Sequence, residues 1–502
     1  MATFNSGDLM QALIAKLYST ITGDDGSVQI PRNKFVSWFK PGIPFRPKDF
    51  TFCAKGLVGS TAEQTRELEH QAWVVSKLFD FVPDVGSEFV GEGLGQAIFT
   101  TSQDSISSVY GDVLKYSRVV DMPLSDKEKE KLKKFRDLLT ITREEKDLLD
   151  ETITRTVSEP GPLTLAYNAK LNDYLDAADE YMNLIIDAQS AKGDSEEAIR
   201  RVKAFSTKSK FVRKKMEAAY MAWVSQGYKN EYEEVNAYID QVTMKSMVLY
   251  KQDLLTKFRA GLKTDTTIGE GGDYYYTTLV PGNFATSPGW TDFTFYEGDF
   301  ESHRNKETSQ WSAKASGAYK LFSMGAKAGG SKVEESSDMK ASSFFARLQF
   351  TQVPIVRPFF EPGFFSMKGW TLDQLWDLNY PGKKVSDGST RPVGRLVAYP
   401  ITALFVRNVE FRFSEWESHR DYINSKIGGG GSVGWGPFRI GGKYAHGEEE
   451  QNMEADYSGG ALKIPGMQLI GFINNVIPKS PDPNPAIRPE QFVGGEQVVA
   501  TP

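Results

Sequence analysis

His303 and His419 are two of only four histidines in the 502-residue chain, and each stands third in a Glu-Ser-His-Arg tetrapeptide, at 301–304 and 417–420. Imidazole changes charge near pH 6.5, so two equivalent histidines would make a proton switch in which charging both repels a neighbouring basic group. The plainer reading is a structural hydrogen bond made twice because its surroundings are duplicated. A metal centre fits poorly, since Glu-Ser-His-Arg lacks a two-ligand spacing and the adjacent Arg opposes a cation.

Two acidic clusters follow the histidines. Glu334, Glu335 and Asp338 form one, and Glu448, Glu449 and Glu450 the other. Their oxygens would suit Ca²⁺, but the alternating Asp/Asn pattern with a central glycine is missing. Charged hairpin tips that resist edge-to-edge pairing are the favoured reading. Gly325-Ala326-Lys327-Ala328-Gly329-Gly330-Ser331-Lys332 places Ser before Lys, the wrong order for a phosphate loop. No zinc-protease, nucleophile-elbow or dinucleotide motif is present, so the sequence predicts no catalytic residue, metal or cofactor. The aromatic groups Tyr274-Tyr275-Tyr276 and Trp370, Trp376, Tyr380 read as core or interface, with a carbohydrate or lipid-headgroup platform as the alternative.

The elements that must position these residues are duplicated too. At the same offset of 116 positions, Phe295 matches Phe411, Ser316 matches Ser432, Phe322 matches Phe438 and Gly325 matches Gly441. Lys327 and Lys443, Glu334 and Glu450, and Ser342 and Ser458 continue the register without a gap. Such an echo marks a repeated structural unit. Each copy reads as a strand, a short helix from the histidine motif, and a hairpin. The outgoing strands fall at 313–328 and 432–445, the tips at 332–338 and 448–456, and the returns at 341–353 and 459–470. In the first return Phe344, Ala346, Leu348 and Phe350 alternate with Arg347, Gln349 and Thr351, the pattern of a half-buried strand. Val353 to Phe365 reads as a rigid, Pro-punctuated connector between the copies.

Ahead of the repeats lies a helical region. Ser125 and Glu128 form a capping box, Glu159-Pro160-Gly161-Pro162 stops the first helix, and Leu171, Leu175, Ala178, Met182 and Ile185 suggest a coiled-coil-like seam. A stretch from about 208 to 262 reads as one long helix that Gly227 would bend. The basic run Lys129, Lys131, Lys133, Lys134 is interspersed with acids and reads as a solvated face.

The expected fold class is therefore α+β: a long-helix bundle followed by a Gly- and aromatic-rich β-domain of two homologous strand–helix–hairpin units. The expected divisions are an extended aromatic and proline-rich arm at 1–60, a bundle at 61–262, a duplicated β-domain at 264–476 with repeats at about 293–353 and 409–469, and a Pro-rich tail at 477–502. A net charge of −6 argues against a nucleic-acid partner. The single cysteine, Cys53, excludes an internal disulfide. No signal peptide or transmembrane run is visible, so synthesis in the cytoplasm is expected, with release by a non-classical route open to a toxin-like protein. The favoured function is a non-enzymatic, self-associating protein, a homo-oligomer acting on a membrane surface through paired amphipathic hairpins in the manner of a pore-forming toxin. The alternatives are a scaffold or assembly subunit with no membrane step, and a small-ligand binder or enzyme with a pocket between the two domains.

Overall fold

The alternation at 344–350 becomes strand β13 (Phe345–Val356), with Phe344, Ala346, Leu348 and Phe350 buried, in the computed structural model of the chain. The structure describes residues 6–22, 33–85, 89–90, 95–121, 125–146, 154–190, 196–265, 272–296, 298–300, 321–324, 334–335, 344–412, 420–421, 423–424, 432–446, 449–453, 456–458 and 460–494. It is a mixed α+β fold with several sheets, divided into two compact units: Met1–Val119 with Lys251–Pro502, and Val120–Tyr250.

The larger unit is organised by a nine-stranded sheet. Its path runs β10 (Thr291–Phe295), β13, β15 (Ala398–Arg412), β20 (Ala461–Val476), β1 (Lys34–Phe45), β3 (Gln96–Ile98) and β2 (Phe89–Val90). β9 (Thr278–Leu279) also pairs with β13, and β19 (Asp456–Ser458) with β20. The pairing repeats at the offset seen in the sequence. Phe295 faces Ala346 and Phe293 faces Leu348, while Phe411 faces Leu462 and Val409 faces Ile464. β15 has a second partner, β13; the other side of β10 pairs with no strand among the described residues.

A five-stranded sheet carries β12 (Glu334–Glu335), β11 (Leu321–Met324), β16 (Ser432–Trp435), β17 (Phe438–His446) and β18 (Glu449–Met453), in that order. The expected single strand 432–445 is thus two strands, because Gly436 takes a φ of 56° and turns the chain so that Trp435 faces Phe438. The return 461–476 joins the larger sheet instead of pairing back on 438–446. Val433, Trp435, Phe438, Ile440 and Met453 are buried in the cluster that holds Phe295, Phe411 and helix α1 (Ser6–Thr22). α1 is apolar nearly all round, the composition of a helix enclosed on every side.

The segment read as an N-terminal arm is therefore core. β1 sits between β20 and β3, and its Pro41 is tolerated because the ladder to β20 is interrupted between Trp38 and Ile43. There Gly42 donates to the Pro437 carbonyl at 2.8 Å, and a Cβ at Gly42 would meet that oxygen at 2.7 Å. The expected bundle boundaries move as well. Helices α2 (Thr51–Lys55), α3 (Ala62–Phe79), α4 (Ile106–Tyr116) and α9 from Lys251 on (Met247–Gly261) fall in the same compact unit as the sheet. Leu68, Ala72, Val75 and Phe79 of α3 share a buried cluster with Phe405 and Phe472. A helix with one apolar face does not announce in sequence whether a helix or a sheet will cover it.

β7 (Leu262–Thr264) pairs with β8 (Asp273–Tyr275), and helix α10 (Gln374–Asn379) follows the connector, whose Phe359, Phe364 and Phe365 are buried. The tail is pinned as far as Val493. Ser480 donates to the Phe365 carbonyl, and β21 (Phe492–Val493) joins β4 (Ser117–Val120) and β14 (Trp370–Leu372) in a three-stranded sheet.

The smaller unit opens with α5 (Asp126–Leu139). Its capping box is formed: the Glu128 N–H donates to Ser125 Oγ, and the Ser125 N–H donates to Glu128 at 3.1 Å. Ser125→Ala should lower stability by about 1 kcal/mol, read as a fall in the urea midpoint; an unchanged midpoint would show that solvent satisfies that end equally well. The helix ends at Leu139, not at the expected Pro160. Thr140, Ile141, Thr142, Thr154, Thr156 and Val157 are β-branched, and β5 (Thr140–Lys146) and β6 (Thr154–Pro160) pair as a hairpin instead. Leu148, Leu149 and Ile153 lie outside the described residues. The expected long helix is interrupted at Gly227-Tyr228, where Tyr228 has a φ of 52°, and again at Ser246, giving α7 (Glu196–Ser225), α8 (Lys229–Lys245) and α9.

Candidate interaction surface

The seam of α6 (Pro162–Ser190) differs from the expected stripe. Tyr167 stacks on Tyr232 at 4.0 Å and Tyr174 on Trp223 at 5.6 Å, with Ala177 buried next along the same face. Two helical stripes compete in this sequence, and the aromatic one wins because each ring buries more surface than a leucine. Leu175 is turned outward and is 51% exposed; the side chains of Met182 and Ile185 lie outside the described residues.

This displacement is part of a pattern. Fifteen large apolar or aromatic side chains are exposed among the described residues, and eight of them (Ile141, Leu165, Leu175, Ile199, Phe211, Tyr220, Met221, Tyr228) fall in the unit 120–250, about a quarter of the chain. Single exposed apolar groups are ordinary; their concentration in a minor part of the surface makes this unit the candidate interaction surface.

On α7 the pattern is sharpest. Val212, Met216, Ala219 and Trp223 are half-buried on one side. On the other, Phe211 is 74% exposed, Met221 62% and Ile199 58%. At about 100° per residue these three lie within an arc of roughly 120°. Arg200, Lys203, Lys210 and Lys214 share that arc, with Glu196 and Glu217 as its acidic members. The whole helix holds eight basic and three acidic residues, a net charge of +5, within a chain of net charge −6. α6 is the opposite, with one lysine against five acids, a net charge of −4. Arg201 pairs with Glu197, Arg213 with Glu217, and Lys215 with Glu180 of α6 at 2.6 Å. Lys208, Lys210 and Lys214, which surround Phe211, have no ion-pair partner among the described residues.

The sequence-predicted site residues are elsewhere. His303, His419, Asp338 and Glu448 lie outside the described residues. Glu334 and Glu335 form β12, facing Ser323 and Phe322, and Glu449 and Glu450 begin β18, facing His446 and Ala445. The two acidic pairs thus occupy the two edge strands of the five-stranded sheet, not its turns. The signal for the α7 face was the run Lys208-Ser209-Lys210-Phe211-Val212-Arg213-Lys214-Lys215, in which a phenylalanine interrupts cations.

Three buried cations of the larger unit, Arg395, Arg357 and Lys251, are engaged structurally. Arg395 donates to Asp104 at 2.8 Å and to Asp112 at 2.8 Å, with its guanidinium 3.7 Å from the centre of the Tyr380 ring. Tyr380 also donates to Asp112, at 2.6 Å. Burial disfavours that guanidinium, but its hydrogen bonds to both carboxylates more than offset the loss and raise its pKa. Arg357 donates to the carbonyls of Pro400 at 2.7 Å and Phe79 at 3.0 Å, and so caps the C-terminus of α3. Lys251 is 1% exposed and donates to the Ser117 carbonyl; burial lowers its pKa to about 8, against a smaller opposing effect of Asp373.

His70 Nδ1 lies 3.1 Å from the buried Asp265 carboxylate, with its ring stacked on Trp73. No Ser, Thr or Cys hydrogen-bonds His70 among the described residues, and burial pushes the Cys53 thiol up, away from a reactive thiolate. No group of three or more His, Cys, Asp or Glu that could hold a metal ion occurs among the described residues, and no helix is long and apolar enough to cross a membrane. No protein-family model, curated protein or solved structure matches the chain.

Proposed function

We propose that this chain is a non-enzymatic, self-associating, membrane-active protein whose contact surface is the helical unit. One observation carries the reading: exposed apolar side chains are concentrated on α6 and α7, two helices whose net charges are of opposite sign. The five-stranded sheet is a less apt contact element than the sequence suggests, because Trp435, Phe438 and Ile440 anchor its second hairpin in the core. The larger unit is proposed to be a duplicated frame of two homologous units. The equal registers Phe295–Ala346 and Phe411–Leu462 support this.

Sedimentation velocity over a rising concentration series tests the reading. Species heavier than the 56.0 kDa protomer are expected. A strict monomer throughout, in buffer and with lipid vesicles, would sink it.

A scaffold subunit joined edge to edge is the second reading, favoured by the side of β10 that pairs with no strand among the described residues. That edge is blunted: Lys16 donates to the Thr294 carbonyl at 2.8 Å while paired with Asp299 at 2.7 Å. If Lys16→Ala promotes assembly, the edge is the joint. If Leu175→Asp abolishes it, the helical unit is.

A further inference from the structure

We infer that the outer face of α7 is a docking surface for an anionic phospholipid bilayer, with Phe211 as its apolar anchor and Lys208, Lys210 and Lys214 as its headgroup contacts. The inference rests on the proposed function, which it deepens by naming the lipid class.

The spacing of the apolar groups selects a bilayer over a protein pocket. Ile199, Phe211 and Met221 are 12 and 10 residues apart, roughly 18 and 15 Å along the helix axis. They do not merge into the contiguous apolar patch that a protein interface uses at its centre. Separate anchors along one arc suit a plane, because each enters the acyl boundary independently to a common depth. A helix lying in the interface has this form, with cations at the headgroups and aromatic or aliphatic side chains below them.

The charge selects the headgroup. Three lysines with no ion-pair partner among the described residues are left to hydration at the cost of mutual repulsion, and an anionic surface relieves that repulsion. The chain as a whole is acidic, so the attraction must be local; at physiological salt it acts within about 8 Å. A soluble polyanion would use the same lysines but would gain nothing from Phe211, Ile199 and Met221.

Flotation of the full chain with vesicles of phosphatidylcholine alone, and of phosphatidylcholine with roughly a third phosphatidylserine, decides the matter. The wild type should float with the phosphatidylserine vesicles alone, and less so as salt rises. At about fivefold per lysine, the Lys208→Gln, Lys210→Gln, Lys214→Gln triple variant should lose on the order of 100-fold in partitioning. Phe211→Ala should lose roughly tenfold or more at unchanged salt dependence. These positions are exposed, so circular dichroism should match the wild type; Lys129→Gln on α5 serves as a charge control and should bind normally.

Equal flotation with both vesicle types, or wild-type partitioning by the triple variant, would overturn the inference while leaving self-association to be judged by sedimentation. Retention on heparin without flotation would assign the lysines to a soluble polyanion and overturn it as well.

Discussion

Arg395→Met should lower the unfolding free energy by about 3 kcal/mol, the largest effect expected of any single substitution considered for this chain. The methionine fills much the same space, but it leaves Asp104 and Asp112 facing each other without the cation that binds both. Side-chain exposures of 33% for Asp104 and 22% for Asp112 admit some solvent screening, which places the loss at the lower end of the range for a broken buried pair. Arg395→Lys keeps the charge and loses the fork, since one ammonium cannot make two-pronged contact with Asp104, reach Asp112 and lie flat on Tyr380. It should recover less than half of the loss. Urea midpoints of the three proteins supply the comparison. A loss below about 1 kcal/mol for Arg395→Met would mean that the network behaves as a surface ion pair.

The second large effect is a dependence on pH. Burial holds the pKa of Lys251 at about 8 in the folded state, below its ordinary 10.5. Below pH 8 both states carry the proton, and the desolvation penalty is constant. Between those values the unfolded chain binds a proton that the native chain has released, so stability rises with pH. Lys251→Met has no such proton. The stability of the wild type relative to this variant should therefore climb by on the order of 3 kcal/mol across that window, and should be flat below it. Denaturation of both proteins through the window measures the difference directly. A constant difference would show that Ser117 and Asp373 sustain the ammonium in place.

Both groups also show where local sequence stops being informative. Arg395 and its two carboxylates are more than 280 positions apart in the chain, and Lys251 and Ser117 are 134 apart. Nothing near Arg395 distinguishes it from a surface arginine. The α7 face is the reverse case. Lys208 to Lys215 stand together in the sequence, but their meaning depends on which side of the helix the bundle covers. Tyr167, Tyr174 and Trp223 decide that by stacking, and in doing so leave Leu175 on α6 exposed. The histidine pair that served as the landmark of the expected repeat lies outside the described residues.

By itself the sequence determined the mixed α+β class, the capping of α5 and the strand face of Phe344 to Phe350. These are short-range or periodic properties, set by backbone preference and by the alternation of apolar side chains, and they need no knowledge of the partner. Only the tertiary structure decided that α1 and β1 are core, that α3 packs on the sheet, that 140–146 pairs with 154–160, and that 461–476 leaves its expected partner for the larger sheet. Each of those outcomes turns on which apolar faces meet. A face is written in the local pattern, whereas its partner lies hundreds of residues away and is chosen by the total surface that the whole chain can bury.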